Sequence, residues 1–156
     1  MRIENVSIKS IVVDSSVLFA LFFPEEYSEW SEEMIRKYDE LHVPELVFLE
    51  TSNAAWKRII IFKQPSDIVL KNLRLLHKFI SDVCIIHRDR DYLQRAIELA
   101  IKLGTTIYDS LFLAIAEKYK TKVLTIDRKL VKTLKRMKEE HRVISPVKLN
   151  EGKTER

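Results

Sequence analysis

Short runs of consecutive apolar residues alternate along this chain with longer stretches in which apolar positions recur every three or four residues. The runs lie within Ile11-Val12-Val13, Leu41-His42-Val43, Val83-Cys84-Ile85-Ile86, Lys122-Val123-Leu124-Thr125-Ile126 and Arg142-Val143-Ile144-Ser145. They are rich in β-branched residues and mostly lack polar alternation, so they predict strands covered on both faces, as in a parallel sheet. The last, ending before Pro146, is expected on an edge. The helical period predicts helices over 17–23, 28–38, 44–62, 65–80, 91–103, 106–119 and 127–138. Pro24 breaks the first, Pro44 falls near a first turn where proline is tolerated, and Gly104 is a helix stop. In 65–80, Ile68, Leu75, Leu76 and Phe79 lie on related faces. The order β-α-α-β-α-α-β-α-α-β-α-β predicts a three-layer α/β/α sandwich around a mainly parallel, roughly five-stranded twisted sheet.

Length changes this picture little. At 156 residues the chain fits one compact domain, expected over 1–149, with a polar C-terminal tail over 150–156. Two glycines and four prolines leave little material for long irregular loops. The single cysteine, Cys84, has no partner for an internal disulfide and reads as a buried small hydrophobe. There is no signal-peptide pattern and no apolar run of membrane-spanning length, so a cytoplasmic protein is expected. His42, His77, His87 and His141 are scattered without metal-ligand spacing and read as structural or exposed.

Charge changes it more. The net charge is +4, from 27 Lys and Arg against 23 Asp and Glu. Four of those acids occupy unusual positions, and without them the positive surplus doubles. Asp14 and Asp127 each follow an apolar strand, where ligand sites form in open α/β sheets. Asp109 opens the strongly apolar helix at 106–119. Glu50 sits mid-helix in a stripe with Asn53 and Lys57, beside the small Ala54. Plain structural roles exist for three of them. Asp14 and Asp127 can cap the helices that follow, and Thr106 to Asp109 matches a capping box. Glu50 has no such role except as part of a surface stripe. Together the four form a set of hard oxygen donors suited to Mg²⁺ or Mn²⁺. An acidic metal site in a cationic protein points to nucleic-acid chemistry.

In order and context the four acids resemble those of the PIN-domain family, and within it the VapC-type toxins. The resemblance rests on Val13-Asp14-Ser15-Ser16-Val17-Leu18, on Pro44-Glu45-Leu46 followed by Glu50 and Asn53, on Tyr108-Asp109-Ser110 leading to Leu113-Ala114-Ile115-Ala116-Glu117, and on Leu124-Thr125-Ile126-Asp127-Arg128. It implies acids gathered at the carboxyl edge of the sheet, one or two bound Mg²⁺ or Mn²⁺ ions, and hydrolysis of RNA phosphodiesters. Asp14 and Asp109 would be the main direct ligands, with Glu50 and Asp127 acting partly through water or at a second ion. Ser16, Asn53 and Thr125 would support them. Lys57, Arg58, Arg128 and Lys129 are candidate RNA contacts. The resemblance also implies an antitoxin partner and a homodimer, for which 17–23 and 28–38 are candidate surfaces unless they are core. A stand-alone PIN nuclease in RNA processing would carry the same acids, and a non-catalytic RNA- or protein-binding module is the third reading. A haloacid-dehalogenase-type phosphatase is excluded, because Ser16 stands where its second Asp is needed. No aromatic ladder suggests base stacking.

Overall fold

The computed structural model describes residues 7–149, so positions 1–6 and the predicted tail at 150–156 lie outside the described residues. The elements follow the expected order: β1 (Ser10–Val13), α1 (Ser15–Phe22), α2 (Ser28–Ile35), β2 (Glu40–Pro44), α3 (Leu46–Ile60), α4 (Ser66–Val83), β3 (Ile85–His87), α5 (Leu93–Leu103), α6 (Ile107–Lys118), β4 (Val123–Leu124), α7 (Arg128–Arg136) and β5 (Val143–Ile144). The five strands form one sheet in the order β3-β2-β1-β4-β5, and every pairing is parallel. From β1 the chain steps outward through β2 to β3, then crosses back to place β4 on the other side of β1. Right-handed crossovers in opposite directions put α1–α4 on one face and α5 and α6 on the other. The same reversal makes the gap between β1 and β4 a topological switch point, where open α/β sheets bind ligands.

Burial follows this topology. Ile11, Val12 and Val13 of the central strand are buried, and α6 is buried from Ser110 to Ala116 because it lies between the sheet and α5. α5 turns Ala96, Leu99 and Leu103 inward and leaves Leu93, Ile97 and Ile101 exposed. Gly104 ends it at φ 70°, a left-handed conformation that most side chains adopt only at a cost.

Several boundaries and faces differ from the sequence reading. α4 runs on through Val83 and Cys84 caps it, so the third strand is 85–87 rather than 83–86. It is an exposed edge, hydrogen-bonded on one side. Cys84 is half-buried rather than buried, and its surroundings push the thiol up to about 12. Of the residues expected on one face of α4, Leu76 is buried and Phe79 packs against the core, while Ile68 and Leu75 face outward, so the buried face centres on Val69, Leu76 and Ile80. α2 stops at Ile35, short of the expected 38. Val17, Leu18, Phe19 and Ala20 of α1 are core, which removes most of 17–23 as an interface surface. The histidines are tied into the fold: His42 Nδ1 lies 2.9 Å from His87 Nε2, Tyr92 Oη lies 3.1 Å from His87 Nδ1, and His77 Nε2 lies 3.0 Å from Thr51 Oγ1. His141 is exposed, beside Glu139.

Candidate active site

Asp14 is the residue at which β1 ends and α1 begins. Its backbone N–H still donates to the Leu124 carbonyl of β4 (2.9 Å), and its own carbonyl accepts the first bonds of α1. It occupies the N-cap position, yet its carboxylate makes no capping bond. Instead Asp14 Oδ2 accepts from Ser16 Oγ (2.6 Å) and from Thr125 Oγ1 (2.7 Å). Thr125, with no exposed surface, also accepts from the Asp127 N–H (3.1 Å), while Ser16 Oγ accepts from the Ile126 N–H (3.2 Å). Two hydroxyls therefore lock the ends of β1 and β4 together across the switch point and aim one carboxylate.

The other three acids reach the same place from different elements. Asp14, Glu50, Asp109 and Asp127 all line one open cleft of about 760 Å³, together with Ser15, Ser16, Asn53, Lys57 and Arg58. Glu50 projects from α3, and its Oε1 accepts from Ser15 Oγ (2.9 Å). Asp109 lies in the first turn of α6, where its backbone N–H donates to Thr106 Oγ1 (3.1 Å). Asp127 caps α7, its Oδ1 accepting from the N–H groups of Lys129 (2.8 Å) and Leu130 (3.1 Å), and it also lines the cleft.

Gathering these charges has a cost that appears in their protonation. Burial, leaving Asp14 6% exposed, pushes its pKa from 3.8 to about 6. The bonds from Ser16 and Thr125 oppose that rise, and the charges of Asp109 and Asp127 add to it. Glu50 is raised to about 7, again by burial first, with Ser15 opposing and the other three acids adding. Asp109 is raised by burial and by Asp127, against Thr106 and the nearby Lys129. The donors fit a particular kind of cation. Among the described residues no three His, Cys, Asp or Glu side chains close tightly enough to enclose an ion. Mg²⁺ ordinarily keeps several waters and uses one or two carboxylates directly, so an open ring of hard oxygens suits it. A zinc cage of nitrogen and sulfur ligands is excluded by the residue types lining the cleft.

The positive residues divide. Lys57 lines the cleft, is exposed and makes no ion pair among the described residues. Arg58 lines it too, but its guanidinium bonds to Glu25 (2.7 Å) and lies 5.6 Å from the centre of the Phe19 ring. Arg128 turns toward Tyr27 (3.5 Å) and Glu26 (3.8 Å), away from the cleft lining. Lys129 stands close enough to Asp109 to stabilise its ionised form. Six lining residues were missed from the sequence: Ser15, Phe19, Glu25, Thr51, Phe62 and Gln64. Adjacency to Asp14 and to Glu50 was the available signal for Ser15 and Thr51; the others carry none.

A family model described as PIN domain matches residues 11–136. The chain belongs to the PIN-domain family. It is 36% identical over 123 residues to ribonuclease VapC3 of Pyrobaculum aerophilum, spanning 77% of this chain and 91% of that protein. Three solved structures share the PIN fold at lower identity. PAE2754 of Pyrobaculum aerophilum is 24% identical with a TM-score of 0.61, over 81% of this chain and 79% of that one. A toxin–antitoxin complex from Klebsiella pneumoniae is 14% identical with a TM-score of 0.64, over 89% and 99%. VapC20 of Mycobacterium tuberculosis, described as a sarcin-ricin loop cleaving toxin, is 14% identical with a TM-score of 0.56, over 72% and 85%.

Proposed function

We propose that this PIN-domain protein is a divalent-metal-dependent ribonuclease that hydrolyses RNA phosphodiester bonds and serves as the toxin of a VapBC-type pair. The observation that carries the proposal is the convergence of four carboxylates, from four separate elements, on one open cleft in a chain of net positive charge. A ribonuclease relative that aligns over most of both chains supports the RNA substrate. Mg²⁺ or Mn²⁺, one ion or two, would be held by Asp14 and Asp109 with Glu50 and Asp127, and would supply an acidified water as nucleophile and charge neutralisation at the phosphate.

The protein's own groups do the positioning. Ser16 and Thr125 fix the Asp14 carboxylate, Ser15 fixes Glu50, and the capping bonds of Asp127 hold it on α7. Asn53 and Lys57 line the approach along α3, and Lys57 supplies positive charge for the incoming strand. The exposed apolar stripe of Leu93, Ile97 and Ile101 on α5 is the surface we assign to a homodimer. An antitoxin protein completes the assembly, and a cytoplasmic site of action follows from an RNA substrate. No single helix among the described residues is long and apolar enough to cross a membrane.

The test is cleavage of an end-labelled structured RNA with Mn²⁺ or Mg²⁺, beside an EDTA control and the Asp14→Asn variant. Metal-dependent cutting lost in the variant is expected. Equal cutting by both proteins, or by neither across a broad RNA set, overturns the ribonuclease reading. Growth arrest on expression, relieved by the product of a short reading frame beside the gene, tests the toxin role separately.

A further inference from the structure

The wall of the cleft formed by the end of α3 holds a feature that the acids do not explain. Phe62 lines the cleft, yet 66% of it is open to solvent. Its position is not that of a frayed end. The N–H groups of Ile61 and Phe62 both donate to the Lys57 carbonyl (2.9 and 3.1 Å), and the Gln64 N–H donates to the Arg58 carbonyl (2.9 Å). Between them Lys63 turns the chain back at φ 56°. The backbone thus presents an uncovered aromatic ring and a glutamine amide at one fixed place on the rim. Other exposed apolar residues of this region, Trp56, Ile60 and Ile61, do not line the cleft.

We propose that Phe62 and Gln64 form a subsite for an unpaired nucleobase of the substrate strand, a few nucleotides from the bond that is cut. This rests on the ribonuclease reading and extends it to the form of the RNA. The cleft wall runs along α3 from Glu50 through Asn53 and Ala54 to Lys57, ~10 Å at the helical rise, and continues past the helix end to Phe62. That length exceeds one nucleotide, so a strand whose phosphate lies at the acids continues across Lys57 toward the ring. Among the described residues Lys57 is the cleft-lining cation without an ion pair, since Arg58 is engaged by Glu25. A flat apolar ring beside a phosphate contact is the arrangement that single-stranded nucleic acids use, because every unpaired base offers a face to stack. The Gln64 side chain makes no hydrogen bond among the described residues, which leaves both its donor and its acceptor for a base edge. A base locked in a duplex has no free face to give, so the subsite selects single-stranded or looped RNA.

The experiment compares wild type with Phe62→Ala, Phe62→Leu and Phe62→Trp, each checked by melting temperature. The substrate is a single-stranded oligoribonucleotide that the wild type cuts, together with versions carrying one abasic nucleotide at successive positions. Binding by fluorescence anisotropy, with Ca²⁺ in place of Mg²⁺, gives a readout that needs no turnover. Phe62→Ala and Phe62→Leu should both weaken binding and raise KM by roughly tenfold, and Phe62→Trp should restore them. One abasic position should weaken wild type and make no further difference to Phe62→Ala. Unchanged binding and KM in Phe62→Ala, with wild type active, overturns the subsite alone and leaves Phe62 to a protein partner. A Phe62→Leu protein equal to wild type also overturns it, since stacking is then not needed. Wild type that neither cuts nor binds any RNA overturns the ribonuclease reading and the subsite with it.

Discussion

Replacing Asp14 by Asn should make the metal-free protein more stable while abolishing its activity. The ionised Asp14 carboxylate is buried among other acids, and its pKa rises from 3.8 to about 6. At about 1.4 kcal/mol per pH unit, the charged form costs the fold on the order of 3 kcal/mol. The folded state holds this proton more tightly than the unfolded chain, so stability falls as pH rises from about 4 to about 6 and levels off above. Asn carries no charge, and its carbonyl oxygen can still accept from Ser16 and Thr125, which both donate to the same Oδ2. No helix-capping bond is lost, because the Asp14 side chain makes none. The advantage of Asn should therefore be ~2–3 kcal/mol at pH 7.5, or about 5–10 °C in melting temperature for a chain of this size. It should shrink to near zero by pH 4. The assay is thermal unfolding of both proteins in EDTA across pH 4–8, repeated with millimolar Mg²⁺. Wild type should rise with metal, by roughly 2.7 kcal/mol at a hundredfold excess over Kd, and the variant should respond far less. An Asn protein that melts below wild type at pH 7.5 without metal, or a difference that does not depend on pH, would refute the idea that Asp14 is held against its own charge.

Three further outcomes follow from individual contacts. Thr125→Val keeps the shape but leaves the Asp127 N–H without its acceptor and Asp14 with one donor fewer, so it should cost about 1–3 kcal/mol and 10- to 100-fold in cleavage rate, both partly recovered by Thr125→Ser. Asp127→Ala should lose both the α7 cap, about 1 kcal/mol, and cleavage; Asp127→Ser should recover the melting temperature but not the activity, and recovery of both would show that Asp127 acts only as a cap. Gly104→Ala should lower stability by about 1–2 kcal/mol without touching activity, since the φ of 70° strains any side chain while the nearest atom to an added Cβ, Arg136 Nη2, lies 3.9 Å away.

Local chemistry was enough to write down much of this protein. The β-branched runs, each followed by helical periodicity, determined the twelve-element order and a parallel sheet, because continuous apolar strands are stable only when helices cover both faces. Position along those elements marked Asp14, Glu50, Asp109 and Asp127 as candidates, although a helix cap explained three of them locally and only Glu50 lacked such a role. Even Asp127's second role as a cap was legible, being a contact with residues two and three positions away. What the tertiary structure alone decided were contacts across long separations. The Thr125 hydroxyl meets Asp14 from 111 positions away because the switch in strand order sets β1 beside β4, and Ser15 reaches Glu50 from 35 away because α1 packs against α3. The Thr125 bond helps aim the Asp14 carboxylate at the cleft, where its local pattern had favoured a helix cap. Charge was likewise settled only in three dimensions: Lys57 and Arg58 are neighbours in sequence, yet Glu25 engages Arg58 while Lys57 has no ion pair among the described residues. Faces misjudged from periodicity, as in α4 and at β3, failed for the same reason. An apolar residue is buried only where another element covers it, and an edge strand or an outer helix face has no such cover.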